Sequence, residues 1–358
     1  MDSIISVANM YFKPDARITD MEYLKTYNIF KLGDIAFEGN KSKDFSFGRF
    51  VENTIGDGIV SHVFVVFRPI NNFHNFDYWK YAINNENVMG RILARCTKKT
   101  TMMTNLVTTD FLTQKIYCPS LEEQAHIASF LSLIDQRIRK QKELLNALKK
   151  YKRGAVRYLL SPKSCPLKNA RWTTAKLGEL GNFVKGAPLS KADISEDGTP
   201  FILYGELYTT YNEVVTSVKR RTQAQVDELF LSRVGDVVIP TSGETSEEIS
   251  TASCVMLPGV ILAGDLNIFR SDKVDGRIMS YLLNHVVNAK IARIAQGKSV
   301  VHIQASELGK LTLSYPDENT QKKLIDFLSK FDDKIVIEEN ALTFLTGLKE
   351  GLMQQLFI

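Results

Sequence analysis

Residues 119–160 read PSLEEQAHIASFLSLIDQRIRKQKELLNALKKYKRGAVRYLL, and residues 316–357 read PDENTQKKLIDFLSKFDDKIVIEENALTFLTGLKEGLMQQLF. The two stretches share their proline, glutamine, Phe-Leu-Ser, aspartate, lysine and glycine residues at a constant offset of 197 positions, without a gap. A repeat of this size predicts a duplicated unit and pseudo-two-fold symmetry. Each half of the chain is therefore expected to do the same kind of work at its own place.

Apolar residues in both stretches follow the 4-3-4-3 spacing of a coiled coil, which predicts two long helices of roughly 57 Å packed antiparallel on each other. Polar residues interrupt both seams at matching positions, at Gln141 and Glu338 and at Lys152 and Lys349, and such breaks usually fix register. The predicted core of the helix pair consists of Leu131, Ile134, Ile138, Leu145, Leu148, Leu328, Phe331, Ile335, Leu342 and Leu345.

The start of the first helix is marked by two signals. Pro119 fits the lead-in to a helix, and Ser120 with Glu123 forms a capping box that covers free backbone donors. The stretch 161–166, with two prolines, ends this helix and opens the second half.

The regions before the helices also correspond, at an offset of 202 positions. Gly33-Asp34 matches Gly235-Asp236, and Phe67-Arg68 matches Phe269-Arg270. Each Gly-Asp pair is expected in a turn before a short strand, and further strands are predicted at 63–67 and 260–263. The fold class is therefore α+β, with two mixed, mainly β domains separated by two long antiparallel coiled-coil helices in a pseudo-two-fold repeat.

The predicted boundaries are 1–118 for the first domain, 119–160 for the first helix, 161–171 for a linker, 172–315 for the second domain and 316–358 for the second helix. At the offset of 202, Met1 corresponds to Leu203. The first half thus has no counterpart of roughly 172–202, and its domain is expected to be shortened at its N-terminus.

Composition narrows the class of protein. The 358 residues carry a net charge of +5, which permits a nucleic-acid partner without requiring one. The four cysteines show no CxxC spacing and the five histidines do not cluster, so neither a metal nor a cofactor is predicted. No signal peptide and no apolar run of about 18 residues is found, which favours a cytoplasmic protein without a membrane span.

Two stretches imitate enzyme motifs. Residues 292–299 fit a relaxed Walker A pattern, but a helix is predicted before them and a strand after them, the reverse of a phosphate-binding loop. Asp332-Asp333-Lys334 resembles a fragment of a nuclease motif, but it lies on the second long helix and is expected to be a solvated face. With no methyltransferase motif and no Gly-x-Gly loop after a strand, the chain is not expected to be an enzyme.

The duplicated pattern Pro-x₄-Gln-x₅-Phe-Leu-x₃-Asp-x₂-Ile, followed by Leu-x₂-Leu-x₃-Lys-x-Gly-x₄-Leu, resembles the conserved regions of type I restriction-modification specificity subunits. The second domain resembles their target recognition domains, from Trp172 through Leu177-Gly178-Glu179-Leu180 to Gly235-Asp236. This resemblance implies a non-catalytic subunit that recognises a bipartite site in double-stranded DNA. It also implies partners, namely two methyltransferase subunits that methylate adenine and restriction subunits that complete an ATP-dependent endonuclease.

Candidate DNA contacts are basic, amide or hydroxyl residues on predicted loops, because lysine and arginine neutralise phosphates while glutamine and arginine read base edges. In the first domain these are Lys41, Lys43 and Arg49 in one loop and Lys98, Lys99, Thr100 and Thr101 in another. In the second domain they are Lys219, Arg220 and Arg221 in a polar stretch, and Gln296, Gly297, Lys298 and Ser299 in the loop before the last strand. A solvated surface remains the alternative for each of them.

A second function stays open from the sequence alone. A coiled-coil scaffold that positions protein partners without reading DNA has the same helices and the same lack of catalytic motifs. Salt-dependent binding to DNA fragments, with and without methyltransferase subunits, distinguishes the two.

Overall fold

The computed structural model describes residues 4–14, 21–43, 45–70, 74–100, 103–295 and 301–357. The chain divides into two compact units. Unit 1 comprises Met1–Leu144 and Glu338–Ile358, and unit 2 comprises Leu145–Ile337. Each unit therefore holds one globular part together with segments of both long helices, which are α5 (Leu121–Leu159) and α12 (Glu318–Leu356).

Unit 1 begins with short strands and ends with helices that lead into α5. Its strands are β1 (Ile5–Ser6), β2 (Tyr11–Phe12), β3 (Asn28–Phe30), β4 (Ile35–Glu38), β5 (Arg49–Glu52), β6 (Gly58–Val60), β7 (Val65–Phe67), β8 (Thr97–Lys99) and β9 (Thr104–Leu106). Its shorter helices are α1 (Met21–Leu24), α2 (Phe76–Ala82), α3 (Glu86–Cys96) and α4 (Thr108–Leu112).

The centre of unit 1 is a three-stranded antiparallel sheet in the order β5-β4-β7. Antiparallel pairs also join β1 to β2, β3 to β6 and β8 to β9. An aromatic core packs on this sheet, where the rings of Phe50 and Phe111 lie 4.6 Å apart beside the buried Leu93 of α3. Burial of these large apolar side chains is what holds the short strands together.

Unit 2 has more strands. They are β10 (Trp172–Lys176), β11 (Asn182–Lys185), β12 (Thr199–Leu203), β13 (Val214–Val215), β14 (Arg220–Thr222), β15 (Asp236–Pro240), β16 (Ser242–Gly243), β17 (Ser253–Val255), β18 (Ile261–Ala263), β19 (Leu266–Arg270), β20 (Val301–His302) and β21 (Thr312–Pro316). Its shorter helices are α6 (Leu177–Leu180), α7 (Glu206–Thr209), α8 (Ser246–Ile249), α9 (Gly276–His285), α10 (Asn288–Ile294) and α11 (Ala305–Gly309), with 3₁₀ turns at Lys191–Asp193 and Glu228–Phe230.

A five-stranded sheet in the order β11-β19-β15-β17-β13 forms the centre of unit 2. Every residue of β15 is buried, as expected for an apolar strand covered on both faces. A second sheet has the order β14-β12-β18, and the remaining pairs are β10 with β21 and β16 with β20. Helix α9 packs on β15 and β17, and its Tyr281 belongs to the largest apolar cluster of this unit.

Within each unit the two long helices run antiparallel, as the repeat predicts. In unit 1, Asp135 contacts Lys349 and Gln141 contacts Glu338, so positions ascend on one helix while they descend on the other. In unit 2, Val156 and Leu160 share a core with Leu324 and Leu328.

The residues predicted for the helix-pair core are all at least half-buried. Leu131, Leu145, Leu328 and Ile335 are buried. The other predicted core positions are half-buried, namely Ile134, Ile138, Leu148, Phe331, Leu342 and Leu345.

The predicted helix start is also confirmed. Helix α5 begins at Leu121, directly after the capping box, in which the Glu123 carboxylate accepts from the Ser120 amide at 2.9 Å and the Ser120 hydroxyl accepts from the Glu123 amide at 3.3 Å. These two bonds satisfy donors that the first turn of a helix leaves free.

The two globular parts share a strand order but differ at one edge. Strands β4 and β7 match β15 and β19 at the offset of 202, and both pairs are antiparallel. The outer edge of β19 is paired with β11. Among the described residues of unit 1, no strand occupies the matching edge of β7. The difference falls where the sequence comparison finds no counterpart of 172–202.

Candidate nucleic-acid interface

The predicted contacts of unit 1 gather around one hairpin. Lys41 donates from Nζ to the Thr100 carbonyl at 3.2 Å, which brings the two predicted loops of this unit together. Lys98 and Lys99 do not lie in a loop as predicted, because they belong to β8 and pair with β9, where both are exposed. We call Lys41, Lys43, Lys98, Lys99 and Thr100 the hairpin patch. Thr101 lies outside the described residues.

The backbone under the hairpin patch is fixed by close approaches that only glycine permits. A Cβ on Gly39 would lie 2.1 Å from the Thr104 carbonyl oxygen. Gly48 has a φ of +80°, and a Cβ there would lie 2.6 Å from the backbone carbonyl oxygen of Glu38. The buried Thr104 hydroxyl binds the carbonyls of Gly39 and Phe47 at 3.1 and 2.9 Å. The patch is therefore presented by an ordered support.

Arg49 departs from its predicted place. It lies in β5 and not in a loop, and its guanidinium binds Glu38 at 2.8 Å and the Ala8 carbonyl at 2.8 Å. The predicted loop was wrong because the polar stretch 39–48 ends one residue before a strand whose first side chain is charged. Arg49 is thus half-buried and held in an ion pair with Glu38, whereas the lysines of the hairpin patch are exposed.

The predicted polar stretch of unit 2 is also partly a strand. Lys219 precedes β14 and is exposed, but Arg220 and Arg221 lie within β14. Arg220 pairs with the buried Glu206 at 2.8 Å, and Arg221 donates to the Gly198 carbonyl at 2.8 Å. A cavity of about 690 Å³ opens beside Arg220 and Glu206 and is lined by Tyr204 and Tyr208. The other predicted contacts of this unit, Gln296, Gly297, Lys298 and Ser299, lie outside the described residues.

A duplicated ion pair anchors the same turn in both units. Arg68 binds Asp34 with two bonds of 2.8 and 2.6 Å, and Arg270 binds Asp236 at 3.1–3.2 Å. These are the residues of the matching Gly-Asp and Phe-Arg pairs. The sequence showed that they repeat, but the contact between them was not predicted. Because both aspartates are buried, each pair ties the strand after the turn to the end of a neighbouring strand.

A duplicated glutamine joins each long helix to its globular part. In unit 1 the Gln124 amide oxygen accepts from the Asn75 amide at 3.1 Å, and its nitrogen donates to the Pro119 carbonyl at 2.9 Å. Unit 2 repeats this arrangement with Gln321, Asp275 and Pro316, at 2.8 Å for both bonds. Each glutamine thereby links the first turn of a long helix to the N-cap of a domain helix.

A Lys–Asp–Tyr cluster occurs once in each unit. In unit 1, Lys349 binds Asp135 at 2.6 Å, and the Tyr81 hydroxyl donates to the same carboxylate at 2.7 Å. In unit 2, Lys152 and the Tyr281 hydroxyl both bind Asp332. The expectation that Asp332 lies on a solvated face is therefore wrong, because the domain helix α9 covers it. Burial, aided by the carboxylates, raises the pKa of both tyrosines.

Unit 2 enlarges its cluster with two further groups. Glu213 accepts from Lys152 at 2.6 Å and contacts His285 Nε2 at 2.5 Å. Burial alone would raise the pKa of Glu213, but the hydrogen bond from His285 and the charge of Lys152 lower it to about 2. Although burial opposes it, the two carboxylates raise the pKa of Lys152. The lysine, which is 4% exposed, is therefore held as a cation between two acids.

Unit 1 contains a polar cluster where unit 2 is apolar. Glu52 contacts His74 Nε2 at 2.5 Å, and the His74 ring stacks on Trp79 at 5.7 Å. Glu52 of β5 lies opposite Ile35 of β4, and Cys254 of β17 lies opposite Val237 of β15. Because β4 corresponds to β15, Glu52 occupies the place of Cys254.

The rings of His74 and Trp79 also stand where unit 2 has apolar residues. His74 and Trp79 correspond to Val274 and Met279 at an offset of 200, and these residues lie in the apolar core of unit 2. Burial raises the pKa of Glu52 to about 7.

Each unit also exposes apolar side chains on its helix pair. In unit 2, Tyr151, Tyr158 and Phe327 border a groove of about 680 Å³. In unit 1, Phe130 and Leu348 occupy the places of Phe327 and Tyr151 at the offset of 197. Phe344, four residues before Leu348, is also exposed. We call these residues the apolar helix patches. Exposed apolar side chains that cluster in this way mark interaction surfaces.

The sequence predicts neither a metal site nor a membrane-spanning helix, and the structure can be searched for both only among the described residues. Among them, no three His, Cys, Asp or Glu side chains come together in a way that would bind a metal ion. None of the described helices combines the length and the apolar character that crossing a bilayer requires.

Two globular parts share one framework of polar contacts, and each includes segments of both long helices, so the chain is a duplicated two-domain scaffold. Over residues 5–150 and 169–346 the chain matches the family described as the type I restriction modification DNA specificity domain, and it belongs to that family. The resemblance found in the sequence is thereby confirmed.

Individual relatives agree with this assignment. The type I restriction enzyme MjaVIII specificity subunit of Methanocaldococcus jannaschii is 23% identical over 264 residues, which cover 68% of this chain and 61% of that protein. The chain thus spans about three-fifths of this relative. The S subunit of the type I restriction-modification system from M. genitalium has the same fold, with a TM-score of 0.56 and 17% identity over 93% of this chain and 84% of that one.

A third similarity also concerns the fold. A chain from work described as the structural basis underlying complex assembly and conformational transition of the type I R-M system matches with a TM-score of 0.61 and 15% identity, over 99% of this chain and 91% of that one. The α+β fold class with two specificity domains and long helices is therefore confirmed.

Proposed function

We propose that this chain is the non-catalytic subunit that selects the DNA target of a type I restriction-modification complex. Each of its two recognition domains, 1–118 and 172–315, reads one part of a split site. One observation carries this proposal. The buried framework is duplicated, in the Asp–Arg pairs, the glutamines and the Lys–Asp–Tyr clusters, while the exposed candidate contacts differ between the units. A duplicated scaffold with different surfaces suits the recognition of two different sequences.

In unit 1 we propose the hairpin patch as the contact with DNA. Its lysines are exposed, with Lys98 and Lys99 on β8 and Lys41 bonded to the Thr100 carbonyl beside it, so they can neutralise phosphates. In unit 2 we propose Lys219 and the residues Gln296, Gly297, Lys298 and Ser299. The buried or internally bonded arginines Arg49, Arg220 and Arg221 have a structural role first, and we rank them below the lysines.

This function predicts a particular methylation map. A host that carries this chain with its methyltransferase subunits is expected to methylate adenines in a motif with two specified parts and an unspecified spacer. Changing Lys98 and Lys99 to Gln is expected to flatten the salt dependence of DNA binding by about two units, because each phosphate contact contributes roughly 0.9. Methylation sequencing and fluorescence anisotropy over a salt series measure these results.

The matched control is Lys310→Gln with Lys322→Gln, which removes the same charge from exposed lysines that already pair with glutamates. This control is expected to leave the salt slope unchanged. A methylated motif in one continuous block, or none, would contradict a bipartite reader. Tight binding of methyltransferase subunits without any DNA affinity would favour the protein scaffold instead.

We further propose that the apolar helix patches bind two methyltransferase subunits, one in each unit. Restriction subunits then join the assembly through the methyltransferase subunits. The support is that two positions of the patches recur at the offset of 197, Phe130 with Phe327 and Tyr151 with Leu348, as expected if two copies of one partner bind. A protein that acts on the DNA of its own cell works in the cytoplasm, which is where we place it.

Changing Tyr151 and Phe327 to Ser is expected to reduce the bound methyltransferase from two copies to one, because the patch in unit 2 loses its anchoring aromatic area. Mass measurement of the co-purified complex gives the copy number. Val336→Ser is the control, since Val336 is 48% exposed on α12 in the same unit and lies about half a turn round the helix from Phe327. Retention of two copies by the double variant would rule out this surface.

A further inference from the structure

Helix α5 carries a basic face in unit 2 that the duplication does not explain. From Leu145 to Leu159 the helix has five basic residues and no acidic one. Lys150 and Arg153 are exposed on this face, one turn apart, at the mouth of a cavity of about 470 Å³. Among the described residues, no ion pair of the structure involves either of them.

The floor of this cavity has its charges paired without Lys150 and Arg153. It holds Lys152, Glu213, Asp332 and His285, which bind one another. Lys152 is already the cation between the two carboxylates, so Lys150 and Arg153 are exposed cations that this cluster does not need. An unopposed pair of cations one helical turn apart attracts a polyanion.

The other half of the chain shows that the face is not a by-product of the helix repeat. At the offset of 197, Lys152 is matched by Lys349, whose side chain also binds an aspartate. Lys150 and Arg153, however, are matched by Gly347 and Glu350. The duplication has kept the residue that packs and has not kept the two that face solvent.

The asymmetry shows that the helix repeat is not the reason for these two charges. Under the proposed function, the polyanion that the chain holds is a DNA duplex. The duplex supplies a row of phosphates, and Lys150 and Arg153, three residues apart, are spaced by about 4.5 Å along the helix axis.

We propose that the face formed by Lys150 and Arg153 binds the phosphate backbone of the DNA beside the half-site that unit 2 reads. This inference rests on the proposed function. It adds a contact that contributes affinity without sequence preference, because phosphates carry no sequence information.

The test uses the full chain with Lys150→Gln and Arg153→Gln. Fluorescence anisotropy with a duplex of arbitrary sequence is expected to show a salt slope flatter by about two units and an affinity lower by roughly tenfold at 0.1 M salt. The methylated motif is expected to stay the same. Lys323→Gln with Lys330→Gln, two exposed lysines of α12 in the same unit, is the matched control and is expected to change neither quantity.

The outcomes separate the two proposals. A parent chain with no affinity for DNA would overturn the proposed function together with this inference. A parent that binds DNA, with a salt slope that the double variant shares, would overturn this inference alone. Loss of methyltransferase binding with an unchanged salt slope would show that the face contacts an acidic protein surface, and it would also overturn the proposed DNA contact. Equal melting temperatures confirm that the variants are folded.

Discussion

Replacing Lys152 by Met is expected to lower the free energy of unfolding of unit 2 by about 3–5 kcal/mol at pH 7. The change leaves the half-buried Glu213 and Asp332 close together without their buried cation, and breaking a buried ion pair by removing one partner costs on this order. Glu213 keeps His285, so the larger part of the effect comes from Asp332. The defect should shrink as the pH falls from 7 to 5. Burial already raises the pKa of Asp332 against the opposing charge of Lys152, and acid neutralises it.

The chain provides matched controls for this experiment. Lys349→Met removes the equivalent lysine of unit 1, whose ion pair is more exposed, with 28% for the lysine and 40% for Asp135. An exposed pair contributes about 1 kcal/mol or less. Adding Asp332→Asn to Lys152→Met is expected to recover part of the loss, since it removes the uncompensated charge.

Urea unfolding can follow each unit separately because each contains one of the two tryptophans, Trp79 in unit 1 and Trp172 in unit 2. A Trp79→Phe background leaves Trp172 as the reporter of unit 2. Equal losses at Lys152 and Lys349 would mean that burial does not distinguish the two clusters.

The long helices and their pairing are the part of the fold that the sequence predicts well. A heptad pattern reports burial along a helix directly, and the capping box acts within four residues, so both signals are local. Leu131 and Leu328 are fully buried as predicted. The few strands that the sequence predicts lie within two residues of strands in the structure, as at β7, where the predicted 63–67 becomes Val65–Phe67, but most of the strands were not predicted.

The candidate site was predicted less well, because its main features depend on contacts between distant positions. The pairing of Tyr81 with Asp135 and of Tyr281 with Asp332 joins residues more than 50 positions apart. A signal existed, since both tyrosines recur at an offset of 200 while both aspartates recur at 197. From helix periodicity alone, an aspartate outside the apolar stripe is predicted to be solvated. That periodicity carries no information about the domain helix that covers Asp332.

The basic residues show the same limit. A run such as Lys219-Arg220-Arg221 reads as a loop, because charged residues are depleted in buried strands. Strand β14 is an edge strand of its sheet, where exposed side chains are tolerated, and Arg220 finds a buried carboxylate. Which arginines are engaged within the protein is therefore decided by tertiary ion pairs that a single sequence does not reveal.

The polar cluster of unit 1 gives the second large effect, a stability that depends on pH. Because burial raises the pKa of Glu52 from 4.5 to about 7, folded unit 1 binds a proton that the unfolded chain releases. Stability from this group is complete below about pH 4.5 and is lost as the pH rises to about 7. The difference of about 2.5 pKa units corresponds to roughly 3 kcal/mol. The charged groups that act on Glu52 are His74, Asp77 and Lys80.

Glu52→Gln is expected to remove most of this slope, because a neutral amide fills the site without titrating. Above pH 7 the variant should be more stable than the parent by up to the same amount. Trp79 is the natural reporter, since it stacks on His74, and a Trp172→Phe background isolates its signal in urea unfolding at pH 5, 6, 7 and 8. Glu122→Gln, at an exposed position of α5, is the control and should keep the slope of the parent. A parent whose unit 1 is equally stable from pH 5 to 8 would show that Glu52 stays charged in the fold, with His74 compensating fully for its burial.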